Sequence, residues 1–436
     1  MNGLCKQAFL TVALGSLALF FGAGCDDKPK STVAAVEPTG TGTDTTKPAK
    51  TFDGPKSGKI KIVSSLPRTG SAKGQTDTIV NGIKLALEEA GNKAGDFDIV
   101  YEDLDDATAQ AGQWDAQKET SNANQARDDA DVMAYIGTYN SGAAKISMPI
   151  LNKANILMIS PANTTPSLTK PNTGEKDEPF RYRPSGGINY FRVVPTDDVQ
   201  GPVAAHWAKS MSVKSVYILD DNEVYGKGIA DLFKAECAEL KIKVLGQESI
   251  DVKAQEFKAL MQKIKNLNPG LIYFGGTTQT KAGQLAKDMV AAGITCAIMA
   301  PDGCYENAFI ESAGADVLNE RCYITFGGLP PSELMKKGGK GKAFVEAYEK
   351  RFGKIPDEAY AVYGYECAKV ALDCIKRAGV KNREAIIAAA KTLKNFDGAL
   401  GKWSFDENGD TDLKTMSGSK VVGGKFVFDK ILEIKD

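Results

Sequence analysis

Three short segments carry the residue types that would hold a small zwitterion. The first, Gly137-Thr138-Tyr139-Asn140-Ser141-Gly142, lies where a β-branched run gives way to a helical pattern. The first turn of a helix leaves backbone N–H groups unpaired at the positive end of its dipole, so this junction favours an anion, and Ser141 adds a hydroxyl donor. Ser141 equally suits the plain task of capping its own helix. The second segment, Ser160-Pro161-Ala162-Asn163-Thr164-Thr165-Pro166, again follows a strand, and donors from two neighbouring strand ends can bracket one carboxylate. The third, Ala300-Pro301-Asp302-Gly303, sets an acid at a strand's carboxyl end, where it can hold an ammonium or serve as a turn residue.

Rival chemistries find little support. The 436 residues contain one histidine, His206, so a Ser-His-Asp triad would have to be built on it, and a His-rich metal site is excluded. His206 stands beside Trp207 on a helical pattern and reads as structural. Gly226-Lys227-Gly228 does not continue as a dinucleotide fingerprint, and Gly338-Gly339-Lys340-Gly341-Lys342 lacks P-loop spacing and reads as a solvated loop. No G-x-S-x-G elbow is present. Asp406, Asn408, Asp410 and Asp412 alternate like a calcium loop, yet Thr411 stands where the sharp turn needs glycine, which favours a polar turn. No cofactor is expected, and composition leans towards binding over catalysis. Fifty-four Lys and Arg against 55 Asp and Glu leave a formal charge of -1, with no whole-chain drive towards nucleic acid.

The elements that must position these segments alternate. Strands are expected at 59–65, 97–101, 132–136 and 156–159, separated by helical patterns at 79–90, 113–129 and 141–152. The alternation restarts beyond Val194-Pro195, with helices at 202–210, 229–240, 257–265 and 279–292 and strands at 215–219, 243–247, 270–274 and 296–300. Helical segments return at 342–352 and 359–377, and 421–434 is strand-like. The fold class is therefore α/β, with two lobes of parallel sheet flanked by helices. Open α/β sheets bind ligands outside the carboxyl ends of their strands, so two facing crevices place the site between the lobes.

The first residues form an address. Lys6 precedes an apolar run from Ala8 to Phe21, too short to span a bilayer, and Gly22-Ala23-Gly24-Cys25 follows. This reads as a signal peptide over residues 1–24, with Cys25 lipidated as the mature amino terminus although Gly22 replaces the usual leucine-like residue. An ordinary secretory signal with an incidental cysteine is the alternative. Residues 25–57 are rich in Thr, Pro, Gly and Lys and are expected to form a disordered tether. The mature body holds Cys237, Cys296, Cys304, Cys322, Cys367 and Cys374. None forms a C-x-x-C pair, and Cys296 with Cys322 is the one bridge suggested, if their strands are neighbours.

From Lys59 to about Phe428 the chain resembles the periplasmic leucine/isoleucine/valine-binding proteins, the solute receptors of ABC amino-acid importers. The resemblance rests on the order and spacing of IKIVSSLPRTG, AYIGTYNS, NILMISPANTTPSLT, FRVVPTDDVQG, ILDDNEVYGKG, IYFGGTTQ, MAPDG and SFDENGD. It implies a type I two-lobed binding protein with three hinge crossings, near Pro195–Asp198, Gly328–Pro331 and Asp410–Leu413. Residues 58–197 with 329–412 would form the first lobe, and 198–328 with 413–436 the second. It further implies that Ser141, Ala162 and Thr164 bind an α-carboxylate, that Asp302 pairs with the α-ammonium, that Tyr225 lines the cleft, and that Tyr360 stands near the side-chain pocket. Gln75 and Thr277 stand where branched-chain receptors place tyrosines, so the side-chain pocket is altered, and a polar or bulkier ligand than leucine fits this departure. The cysteine pair of the family's first lobe appears as Asp105 and Asn140.

The expectation is thus a monomeric, lipid-anchored periplasmic receptor that closes on an amino acid and delivers it to an ABC permease and its ATPase, without catalysis. A ligand-sensing receptor of the same fold, a receptor for a non-amino-acid carboxylate, and an enzyme of a doubly wound class are the alternatives.

Overall fold

The computed structural model describes residues 51–434. The expected signal segment, Cys25 and most of the tether lie outside the described residues. The tether's last stretch is not loose, contrary to expectation. The Pro55 carbonyl accepts from the Lys381 backbone N–H at 2.7 Å, and the Asp53 carbonyl accepts from the Asn382 side chain at 3.0 Å. Asn382 is the N-cap of helix Arg383–Lys391, so residues 51–57 satisfy donors just ahead of that helix.

Two sheets carry the body. The first has the order β2-β3-β1-β4-β5-β6, built from β1 (Gly58–Leu66), β2 (Lys93–Ala94), β3 (Phe97–Asp105), β4 (Val132–Gly137), β5 (Leu157–Ser160) and β6 (Tyr190–Arg192). All its pairings are parallel except β2 with β3. The second has the order β15-β14-β11-β10-β9-β7-β8, with β7 (Ser215–Asp220), β8 (Lys243–Ser249), β9 (Leu271–Gly275), β10 (Ala297–Ala300) and β11 (Cys322–Gly327) parallel. β12 (Phe396–Gly398) and β13 (Gly401–Trp403) form a separate hairpin, and β14 (Met416–Val422) and β15 (Lys425–Leu432) close the second sheet antiparallel. β4, β5 and β9 are buried along their whole length, as parallel strands covered on both faces must be. The strand-like end of the sequence proves to be two strands, because Gly423 and Gly424 adopt positive φ and turn the chain back.

Several helices begin earlier than the apolar periodicity indicates. α1 (Lys73–Glu89) starts six residues ahead of the expected 79, and its first turns hold buried polar residues, Gln75, Thr76 and Thr78, which carry no apolar signal. α2 (Ala116–Asp128) is capped by the Asp115 carboxyl, and α3 (Ser141–Lys153) follows β4 directly. α4 (Asp197–Ser210) starts before Pro202, which sits inside the helix, while Asp197 and Asp198 complement the dipole of its first turn. α5 (Val224–Glu239) begins ahead of its two early glycines. Segment 340–342, expected as loop, belongs to helix Gly339–Phe352. α1 packs tightly on helix Ala361–Ala378: a Cβ on Gly82 would lie 2.1 Å from the Ala361 carbonyl oxygen, and one on Gly364 2.2 Å from that of Ile79.

Among the described residues the chain passes between the sheets three times: after β6, after β11 and before β14. One buried ion pair ties the first and third passages. Arg192, fully buried at the end of β6, donates to the Asp410 carboxylate at 2.7 Å and to the carbonyls of Asn163 and Thr165 at 3.2 and 2.7 Å. Thr169 donates to the other Asp410 oxygen at 2.9 Å. The 406–412 segment is indeed a polar turn, with Asp406 accepting from the N–H groups of Asn408 and Asp410.

His206 joins α4 to α5 through Glu236 at 3.0 Å, a structural role. All six body cysteines are free, including Cys296 and Cys322. β10 and β11 are neighbours, but Cys322 pairs with Ile298 in register. Two residues of offset, about 7 Å along a strand, keep Cys296 out of reach. Among the described residues no helix is long and apolar enough to cross a membrane.

Two outcomes follow from this packing. Asp410→Ala strands the buried Arg192 guanidinium and should cost about 3–5 kcal/mol in urea unfolding, far beyond an ordinary surface change. Burial also pushes the Glu119, Asp221 and Glu366 carboxyls up to about 7. Acids raised above their unfolded values make the native state hold more protons, so the contribution of these three to stability falls as pH climbs from about 5 through 7. Thermal unfolding of the ligand-free protein should therefore show a higher midpoint at pH 5 than at pH 8. Glu366→Gln, at a carboxyl that accepts from the Trp403 indole at 2.7 Å, should flatten part of that slope.

Candidate functional site

The carboxyl ends of β4, β5, β9 and β10 converge on one small cavity. Tyr139, Asn140 and Ser141 reach it after β4, Ala162 after β5, Tyr225 from the start of α5, Thr277 after β9, and Asp302 and Gly303 after β10; Tyr360 adds an aromatic wall. Six of the eight residues expected from sequence therefore meet here: Ser141, Ala162, Tyr225, Thr277, Asp302 and Tyr360. Gln75 and Thr164 are buried but do not line the space.

Asp302 is the centre of this wall. It is buried, and no lysine or arginine contacts it; its donors are neutral. Gln200 donates to Oδ1 at 2.8 Å and Tyr225 at 2.6 Å, while the Tyr360 hydroxyl bonds Oδ2. Tyr225 in turn accepts from the Gly303 backbone N–H at 3.1 Å, which fixes which way its proton points. Burial raises the Asp302 pKa, and the hydrogen bonds from Tyr225, Tyr360 and Gln200 oppose the rise.

A second acid, Asp197 in the first turn of α4, was not singled out from the sequence. It is 1 % exposed, both its oxygens lack a well-formed hydrogen bond, and its pKa is pushed well above the usual range by burial and then by the Asp302 charge. The Thr164 hydroxyl eases that charge from beside it, and the Asp197 backbone N–H donates to the Thr164 carbonyl at 2.9 Å. Thr164 thus acts on Asp197 from behind the lining. One turn along α4, Gln200 holds Asp302, so the face of α4 that carries both residues supplies this acidic corner. Opening the helix at Pro202 instead of Asp197 hides that spacing in the sequence.

The opposite corner favours an anion. The N-cap of α3 is Asn140, and no side-chain hydrogen bond caps the helix, so Ser141 does not take the capping role. The free N–H groups of the first turn and the positive end of α3 lie at the cavity beside Ala162. Arg192 fixes the Asn163–Thr165 backbone from behind, and Asn163 accepts from Tyr190 and donates to the Tyr139 carbonyl, so the loop carrying Ala162 is rigidly backed.

Hydrogen bonds already join the two walls. Asn140 donates to Gln279 at 3.1 Å, and Gln75 donates to the Tyr305 carbonyl at 3.0 Å while accepting from the Tyr360 backbone N–H at 3.3 Å. Gln75 is thus a latch between the lobes, with its amide committed at both ends. The rings of Tyr139 and Tyr360 meet edge to face at 6.0 Å, and Tyr360 also packs on Phe326.

Comparison with known proteins agrees with this architecture. The periplasmic binding protein family profile matches residues 59–424. The Leu/Ile/Val-binding protein BraC3 of Rhizobium johnstonii is 28% identical over 84% of this chain and 93% of its own. The Leu/Ile/Val-binding protein homolog 2 of Brucella abortus is 30% identical over 81% and 88%. Among solved structures, the leucine-binding protein LivK of Thermotoga maritima superposes with a TM-score of 0.75 at 26% identity, over 86% of this chain and 99% of that one. With its two parallel sheets, its chain passages between them and this interlobe cavity, the chain belongs to the periplasmic binding protein family and is built to bind a solute.

Proposed function

We propose that this protein is the extracytoplasmic receptor of an ABC importer and takes an α-amino acid into the cavity between its lobes. The observation that carries the reading is Asp302, a buried carboxylate held only by neutral donors, facing a cavity whose other end is the uncapped start of α3. An α-ammonium would sit against Asp302 and offset the burial that raises it, and would also ease Asp197, which burial and the Asp302 charge hold up. An α-carboxylate would take the Ser141 hydroxyl and the first N–H groups of α3, beside Ala162. Thr164 would keep Asp197 in place. In a cleft this dry, charge-assisted hydrogen bonds are stronger than in water and offset the cost of desolvating the zwitterion.

Hinge closure would accompany binding, because the groups meeting the ammonium and those meeting the carboxylate come from different lobes. The three passages between the sheets would be the hinge, and the closed lobe faces would dock on the permease pair. Relatives named for Leu, Ile and Val binding support the amino-acid reading. Lipidation at Cys25 would tether the receptor to a bacterial membrane; Cys25→Ser should then release it to the soluble fraction on cell breakage.

The decisive variant is Asp302→Ala. In titration calorimetry it should weaken amino-acid binding at least about 100-fold while the far-ultraviolet circular dichroism stays that of the wild type. Wild-type affinity in this variant would remove Asp302 from the ammonium site. Asp197→Asn should weaken binding about tenfold or more, and unchanged affinity would assign Asp197 to the fold alone.

A further inference from the structure

Behind Tyr139 and Thr277, which line the cavity, lie buried polar atoms that the amino-acid clamp does not use. Glu306, four residues past Asp302, is 1 % exposed, and neither of its carboxyl oxygens has a hydrogen-bond partner. The Thr278 hydroxyl lies beside it and eases its charge without making a well-formed hydrogen bond. Also unpartnered is the hydroxyl of Tyr139, whose ring lines the cavity and on which Glu306 acts more strongly than any other charge. No basic side chain offsets Glu306. Its charged neighbours are acids or a thiol: Glu358, which accepts from the Asn307 backbone N–H at 2.9 Å, and Cys304. Burial pushes Glu306 up to about 8.

Leaving three buried polar groups unmatched is costly, and an aliphatic ligand would leave all of them unmatched. We infer that the far end of this cavity takes a side chain ending in N–H donors, an amide or a cation, in place of the branched aliphatic chain suited to an apolar pocket. The inference rests on the amino-acid reading and specifies its ligand class. The N–H groups donate to the Glu306 carboxyl, and the Tyr139 and Thr278 hydroxyls orient the rest. A cationic side chain draws Glu306 into its carboxylate form, and the proton leaves to buffer. An amide pairs with the neutral acid, donating to its carbonyl and accepting its proton, with no net release.

The test uses the full-length chain, freed of carried-over ligand by unfolding and refolding. It is titrated with L-glutamine, L-asparagine, L-lysine, L-arginine, L-leucine and L-isoleucine at pH 7, in two buffers of different ionisation heat. At least one N–H-bearing amino acid should bind about tenfold or more tightly than leucine and isoleucine. A buffer-dependent heat that Glu306→Met removes reports a proton released from Glu306 and identifies a cationic side chain; a buffer dependence that the variant leaves unchanged identifies an amide. Glu306→Met should cut the preference over leucine by about tenfold to a hundredfold. Should that variant not fold, Thr278→Val should still lower the preference several-fold. Leucine or isoleucine binding as tightly as every N–H-bearing amino acid overturns the inference and leaves the amino-acid reading standing. So does a preference that both variants retain. Binding of none of the six, with the refolded chain intact, overturns both.

Discussion

An acid buried where two lobes meet, with no fixed cation beside it, is the constraint around which this protein is arranged. Asp302 survives burial because Gln200, Tyr225 and Tyr360 each spend a donor on it. Those donors come from α4, α5 and the residue preceding helix Ala361–Ala378, three elements that must be placed together for the carboxyl to be satisfied. Asp197 then adds a second acid, raised by burial and by the Asp302 charge and only partly eased by the Thr164 hydroxyl and the Arg192 charge. Such a corner folds and would gain from one more positive charge, which the proposed ammonium supplies.

The rest of the fold sets that corner against the positive start of α3 across the cavity. The parallel sheets aim their strand ends at one another, and the site residues sit on the first residues past those ends. Arg192 and Asp410 fasten two of the chain passages together and back the loop that carries Ala162. The same buried ion pair therefore ties two chain passages to the loop carrying Ala162, so lobe geometry and the position of that loop are coupled.

The fold class was legible because strand and helix alternate in the sequence, and a parallel sheet follows from that alternation. Individual site residues were legible where a strand ends in a small or acidic residue, as at Ser141, Ala162 and Asp302. Gln75 was read as pocket-lining because of its place in the chain, but its amide is taken up by Tyr305 and Tyr360, a pairing across roughly the whole length of the body that no local pattern reveals. Asp197 and Glu306 were invisible for a different reason. Each is defined by lacking a partner, and a missing partner exists only in three dimensions. The Cys296–Cys322 pairing, suggested only if their strands were neighbours, failed on register: the strands are neighbours, but offset by two residues.

The most direct measurement is a thermal-shift series on the refolded, ligand-free chain, comparing each common amino acid with its analogues lacking the α-amino or the α-carboxyl group. The account predicts that one amino acid, at about 100 times its dissociation constant, stabilises by about 2.7 kcal/mol, a rise of several degrees, and that removing either α group abolishes the shift. An equal shift from the analogue without its amine would contradict it, because the acidic corner of Asp302 and Asp197 would then have nothing to hold.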